Sequence, residues 1–159
     1  TEGFLKGWSE LGDTHQFFGL VRKHGLTRLQ AVELALGKYS REVAPAGAIN
    51  TVLTQAADTG LPIMVFVGNP GCIEIHTGPV RTIKRMENWN NVLDKGFNLH
   101  INEMLLGRAF VVEKPTTDGV VTSLEVFDHE EKLAVQFFGE RKPGKPELEP
   151  WRTLTQELH

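Results

Sequence analysis

The chain has 159 residues, a formal charge of −3, one cysteine, 40% hydrophobic and 23% charged residues. That is enough for a single domain over residues 1–159 with a core of its own. The balance argues against a dedicated nucleic-acid binder, and the single thiol, Cys72, excludes an internal disulfide framework and fits a reducing cytoplasm. No apolar run approaches the roughly 20 residues of a membrane-spanning helix, so membrane insertion is not expected.

The chain opens on "TEGFLKGW", which has no signal-peptide pattern. It begins with Thr while the apolar pattern of Phe4, Leu5 and Trp8 is already under way, which reads as a processed, trimmed or partial chain. The first 57 residues read as helices. "GDTHQFFGLVRKHG" (12–25) has Asp13 or Thr14 as a cap and Gly25 as a stop. "TRLQAVELALGK" offers Thr27 and Gln30 at capping-box spacing and runs toward Gly37. "APAGAINTVLTQAADTG" is a third helix, ending at Gly60.

From residue 61 the period becomes that of strands. "PIMVFVGNPGCIEIHTGPV" reads as two strands joined at Asn69-Pro70-Gly71. Residues 81–107 mix short strands with one helical turn. "RAFVVEKP", "VVTSLEVF" and "KLAVQFF" are three further strands, and "EPWRTLTQEL" closes the chain as a short helix. No alternating βαβ pattern appears, so the expected fold is α+β: an antiparallel sheet with helices packed on it.

Self-contained metal, phosphate-loop and hydrolase chemistries lack support. The six histidines and one cysteine show no CxxC, HxH or HExxH spacing. "GNPG" lies between strands and lacks the Lys-Ser/Thr of a phosphate loop, and no nucleophile elbow places a serine. Arg81, Lys84 and Arg85 read as a solvated strand edge.

The helix over 12–25 carries the informative anomaly. At 100° per residue, Phe17, Leu20 and Val21 share one face with His24, whereas His15 lies opposite, beside Phe18, Gly19 and Arg22. A solvated histidine is the plain alternative, but an exposed phenylalanine beside it calls for something to cover it. Gly19 keeps the surface low and Arg22 offers a cation. A flat, apolar, partly anionic ligand with a central metal uses all four, and haem fits that description.

Two strands repeat the pattern. In "KLAVQFF" the core face is Leu133, Val135 and Phe137, which leaves Gln136 and Phe138 opposite, with Arg141 following. In "PIMVFVG" Phe66 lies off the β-branched face of Ile63, Val65 and Val67. Each is also readable as a second packing layer; together they suggest a second apolar surface rimmed by cations.

"THQFF", "MVFVGNPGCIEIHTGPV", "FNLHI", "KPTTDGVVTSLEVFD" and "QFFGERKPG" closely resemble the C-terminal half of the HemS-like cytoplasmic haem-utilisation (haemin-degrading factor) family, from about residue 8 to 153. The resemblance implies a large antiparallel sheet of about nine strands flanked by helices, two such halves stacked pseudo-symmetrically, and haem in a cleft between sheet and helices. It implies that His15 is the proximal iron ligand and that Phe66 lines the porphyrin pocket. Lys114, Gln136 and Arg141 correspond to residues around the haem edge and propionates, and Phe138 stands where some members carry Tyr. Arg22 and Phe18 come from the face analysis alone; Lys114 comes from the resemblance alone. His76 and His100 fall in family-like segments and read as sheet residues, and Cys72 reads as structural.

The family's preceding half supplies a distal arginine that this sequence does not contain. The expectation is therefore haem binding and onward transfer, for instance to a downstream haem oxygenase, with haem degradation as the alternative. A lone half would expose the surface its partner covers, so homodimerisation is expected in the absence of the N-terminal half.

Overall fold

The computed structural model describes residues 1–159. Helices α1 (Glu2–Ser9), α2 (Gln16–Lys23) and α3 (Arg28–Leu34) precede strand β1 (Ser40–Val43) and helix α4 (Pro45–Thr59). Strands β2 (Ile63–Asn69), β3 (Cys72–Gly78), β4 (Ile83–Met86), β5 (Trp89–Asp94) and β6 (Phe97–Asn102) follow, then a 3-10 turn at Glu103–Leu105. Strands β7 (Leu106–Thr116), β8 (Gly119–Asp128) and β9 (Leu133–Gly139) lead to the closing helix α5 (Glu149–Gln156).

The nine strands divide into a six-stranded sheet, ordered β1-β7-β8-β9-β2-β3, and a three-stranded sheet, β4-β5-β6. Every pairing is antiparallel. The large sheet is covered unequally. Val111, Leu124, Val126, Val135, Phe137, Ile63 and Val65 project from one face into a core closed by α4, α5 and the small sheet. From the other face Phe110, Val112 and Phe127 enter a second core with Phe4, Trp8, Phe17 and Val21 of α1 and α2. Those sheet residues belong to β7 and β8 only. β9 adds only part-buried Leu133 to this second core and β2 and β3 add nothing to it, and that asymmetry positions the candidate site.

Local chemistry sets several boundaries. Thr27 and Gln30 form the expected reciprocal capping box at α3, a motif whose cap contributes about 1 kcal/mol. Pro45 opens α4, and Gly60, at φ 72°, closes it in the left-handed region that glycine tolerates. Asn69 Oδ1 accepts from the Gly71 and Cys72 amides, which tightens the β2–β3 turn.

Four expectations need correction. The 12–25 helix begins only at Gln16, because Asp13 Oδ1 accepts from the His15 amide and folds 12–15 into a turn. The next helix stops at Leu34 short of Gly37, and the chain turns there into β1. β1 itself was not anticipated: "SREV" is four residues with two charges and has no apolar alternation. Leu133 packs on the helix side, against the second core, because the β8–β9 register shifts between Val126 and Phe127.

Candidate functional site

One row of cross-strand partners crosses the large sheet on its α2 side: Phe110, Glu125, Gln136, Phe66 and Ile75. It begins under the helices at fully buried Phe110 and ends in solvent at Ile75. Where the helices stop, a cleft of about 720 Å3 opens between α2 and the sheet. Phe66, Gln136, Ala134 and Gly68 form its floor, Phe18 and Arg28 stand on the helix side, and Lys132, Asp128 and Glu131 rim one end. Such a volume lies within the usual range for ligand sites, about 300–1,000 Å3.

Phe66 is the floor's aromatic ring, and Phe138 backs it. Phe66 and Phe138 rings lie 5.1 Å apart at 47°, as neighbours on β2 and β9. Phe18 is 69% exposed, the largest exposure among the phenylalanines, and packs on no other ring. Nothing lies within 4 Å of where a Cβ on Gly19 would stand. The outward face of α2 is therefore apolar, low and uncovered, as its helical phase implied.

His15 stands immediately before the first residue of α2, one turn before Phe18, with its side chain 93% exposed. Its Nδ1 meets Asp13 Oδ1 at 2.7 Å. A carboxylate accepts, so Nδ1 donates, and Nε2 is the ring nitrogen left outside that bond. This is how metal-ligating histidines are commonly oriented. Hydrogen bonds from the His15 amide and ring hold the Asp13 carboxyl below its ordinary pKa, and the Arg141 guanidinium adds to the effect. Arg141 Nε is buried without a hydrogen-bond partner, an orphaned cationic donor of the kind an anionic ligand satisfies.

Beneath the cleft Glu125 and Lys114 form a buried ion pair, which part-exposed Arg28 joins from the cleft side. Glu125 accepts from Arg28 Nε at 2.7 Å, Lys114 Nζ at 2.9 Å and Ser123 Oγ at 3.2 Å. Burial alone would raise the Glu125 carboxyl, but Arg28 and Lys114 hold it well below the usual range. Burial pulls Lys114 down; Glu125 opposes this and Arg28 reinforces it. Both cations also sit over the Phe17 ring, Lys114 at 4.5 Å and Arg28 at 5.3 Å.

The structure thus brings Phe18, Phe66 and Gln136 to one cleft, with Phe138 against Phe66. Arg22 lines a neighbouring groove, not the cleft. Lys114 does not line the cleft either; it lies buried below Phe17. His15 stands outside the cleft wall, at the end of the helix that forms it. Sequence reasoning missed Arg28 and Glu125. The signal for Glu125 was a carboxylate in the otherwise uncharged strand run "VVTSLEVF": a charge inside a buried strand needs partners.

The remaining histidines of interest lie elsewhere. His76 stacks on Phe97 at 3.9 Å, on the opposite face of β3, and His100 Nδ1 pairs with Asn91 Oδ1 at 2.7 Å. No group of three His, Cys, Asp or Glu side chains is arranged to hold a metal ion. No helix is long and apolar enough to cross a membrane.

Comparisons with known proteins agree with this architecture. Residues 25–158 match the family described as the haemin-degrading HemS.ChuX domain. The curated hemin transport protein HemS of Yersinia enterocolitica is 37% identical over 152 residues, which are 96% of this chain and 44% of that protein. Crystal structures of PhuS, described as a heme-binding protein from Pseudomonas aeruginosa, superpose with a TM-score of 0.96 at 46% identity. The match covers 99% of this chain and 46% of apo-PhuS. ChuS, described as an E. coli heme oxygenase, gives a TM-score of 0.93 at 39% identity and covers 98% of this chain and 47% of its own. ChuX, at 17% identity and a TM-score of 0.74, shares the fold over 92% of its length. The chain spans under half the length of the curated relatives it matches.

Proposed function

The chain belongs to the haemin-degrading HemS.ChuX family, and we propose that it binds haem in the cleft between α2 and the sheet, with His15 as the residue that would hold the iron. The observation that carries this is the Asp13–His15 pair: a carboxylate holds the ring through Nδ1 and leaves Nε2 exposed, at the end of the helix whose Phe18 walls the cleft. Phe66, Phe138 and Phe18 supply flat apolar surface for the macrocycle. Gln136 and Arg141 supply polar contacts at its edge, the latter through its unpartnered Nε. Arg22 adds positive charge beyond Phe18. Lys114 acts from beneath, holding Phe17 and thereby the angle of α2.

The test compares optical spectra of the haem complexes of wild type and His15→Ala. Saturable binding with a histidine-ligated spectrum in wild type, lost or shifted in His15→Ala, is expected. Identical spectra would remove His15 from the site.

On the same reading the domain carries haem in the cytoplasm and hands it onward, for instance to a haem oxygenase. Residues 1–159 would act as one unit equivalent to the C-terminal half of the longer relatives, completed by an N-terminal half or by a second copy. The likeness to ChuS, described as a heme oxygenase, favours a second reading in which the chain takes part in haem degradation. Bound haem would supply the redox-active iron; the protein would supply the ligand and restrict access. Haem-loaded protein with a reductant and catalase separates the two: a stable Soret band means carrier, and its loss with release of iron or a linear tetrapyrrole means enzyme.

A further inference from the structure

We infer that the groove between α2 and α3 is a second binding site, for a small carboxylate with an apolar body. It encloses about 350 Å3, walled by Phe17, Phe18, Val21 and Leu26, with Arg22 and Arg28 among its lining residues. That is about half the cleft's volume and at the small end of ligand sites. Its occupant is therefore a fragment-sized molecule and not a macrocycle.

Charge identifies the class. Two guanidinium groups line the groove and no acidic side chain does. Arg22 joins none of the protein's ion pairs. Arg28 is held by Glu125 through Nε alone, which leaves its two terminal nitrogens free to donate. Arginines favour carboxylates because the planar fork matches two oxygens at once. Phe17 and Val21 are buried parts of the core, so the apolar wall is a fixed surface. An apolar body against Phe17, Val21 and Leu26, with its carboxylate between Arg22 and Arg28, satisfies every group that lines the groove.

Phe18 and Arg28 line both the groove and the cleft. Arg28 is anchored by Glu125, whereas Phe18 has no partner and an unobstructed glycine beside it. A molecule in the groove therefore constrains the ring that also faces the cleft, and the two occupancies are coupled. This coupling rests on the haem reading of the cleft; the groove site does not.

The experiment uses the haem-free full chain, amide NMR, and phenylacetate as the probe beside uncharged 2-phenylethanol. Saturable shifts at Val21, Arg22 and Leu26 are expected with phenylacetate, with about tenfold weaker binding of the alcohol. Arg22→Gln, at an exposed position that leaves the fold intact, weakens phenylacetate several-fold. Leu26→Trp fills the groove and abolishes binding. Equal affinity for the two probes, non-saturating shifts, or undiminished binding in both variants would overturn the proposal. His15→Ala keeps phenylacetate binding in every case, so loss of the haem reading and loss of the groove site give different results.

Discussion

The Asp13 carboxylate and the His15 imidazole meet at 2.7 Å within one turn of chain, ahead of the first residue of α2. The pair fixes which ring nitrogen faces outward, and it costs no core volume because both groups lie at the surface. If His15 holds haem iron as proposed, Asp13→Ala frees the ring to rotate and removes the partner that orients it. Haem affinity should fall by about tenfold or more, read by absorbance titration, while the thermal midpoint stays near wild type because Asp13 is exposed.

Gly19 gives the complementary case. It lies inside α2, where alanine is favoured by about 1 kcal/mol, and nothing obstructs a Cβ there. Gly19→Ala should therefore raise stability in a denaturant melt. It should also weaken haem binding, because the methyl raises the helix surface that a flat ligand approaches. Stability and affinity moving in opposite directions would be the signature; unchanged affinity would remove this face of α2 from the site.

Glu125 is buried between buried Lys114 and part-exposed Arg28, so Glu125→Ala leaves the Lys114 charge uncompensated and should cost about 3–5 kcal/mol. Its folded pKa lies below the ordinary 4.5. The stabilisation is therefore present above pH 4.5 and is lost as pH falls through the depressed folded value. Urea melts of wild type should show stability declining into acid. Glu125→Gln, which cannot titrate, should show a shallower decline.

Glu147 behaves oppositely. It accepts from the Thr122 amide and hydroxyl, each at 2.7 Å, and burial pushes its carboxyl above the ordinary 4.5 despite these bonds and Arg152. Its favourable contribution is complete below pH 4.5 and fades as pH rises through the raised folded value. Glu147→Gln keeps an acceptor for the Thr122 amide without a buried charge. Its stability relative to wild type should improve from pH 4 to pH 7, and a constant difference would show that Glu147 does not titrate in that range.

Much of the site follows from period alone. The phase of α2 puts Phe17 and Val21 inward and Phe18 outward. Alternation along β9 and β2 puts Gln136, Phe138 and Phe66 on the face opposite Val135, Phe137 and Ile63. The Thr27–Gln30 capping box is equally local. These readings hold because side-chain direction depends only on a residue's place within its own helix or strand. A bulge breaks that rule, and Leu133 changes sides where the β8–β9 register slips.

What the sequence by itself determined is therefore the set of residues that share a face, and the presence near position 15 of a histidine, an aromatic ring and a cation with no core to enter. Tertiary structure alone decided which half of the sheet the helices cover, that Arg28 reaches Glu125 across 97 positions, and that Lys114 lies beneath Phe17. The physical reason is range. Periodicity is written residue by residue, whereas a buried charge finds its partners only when distant strands and helices have packed.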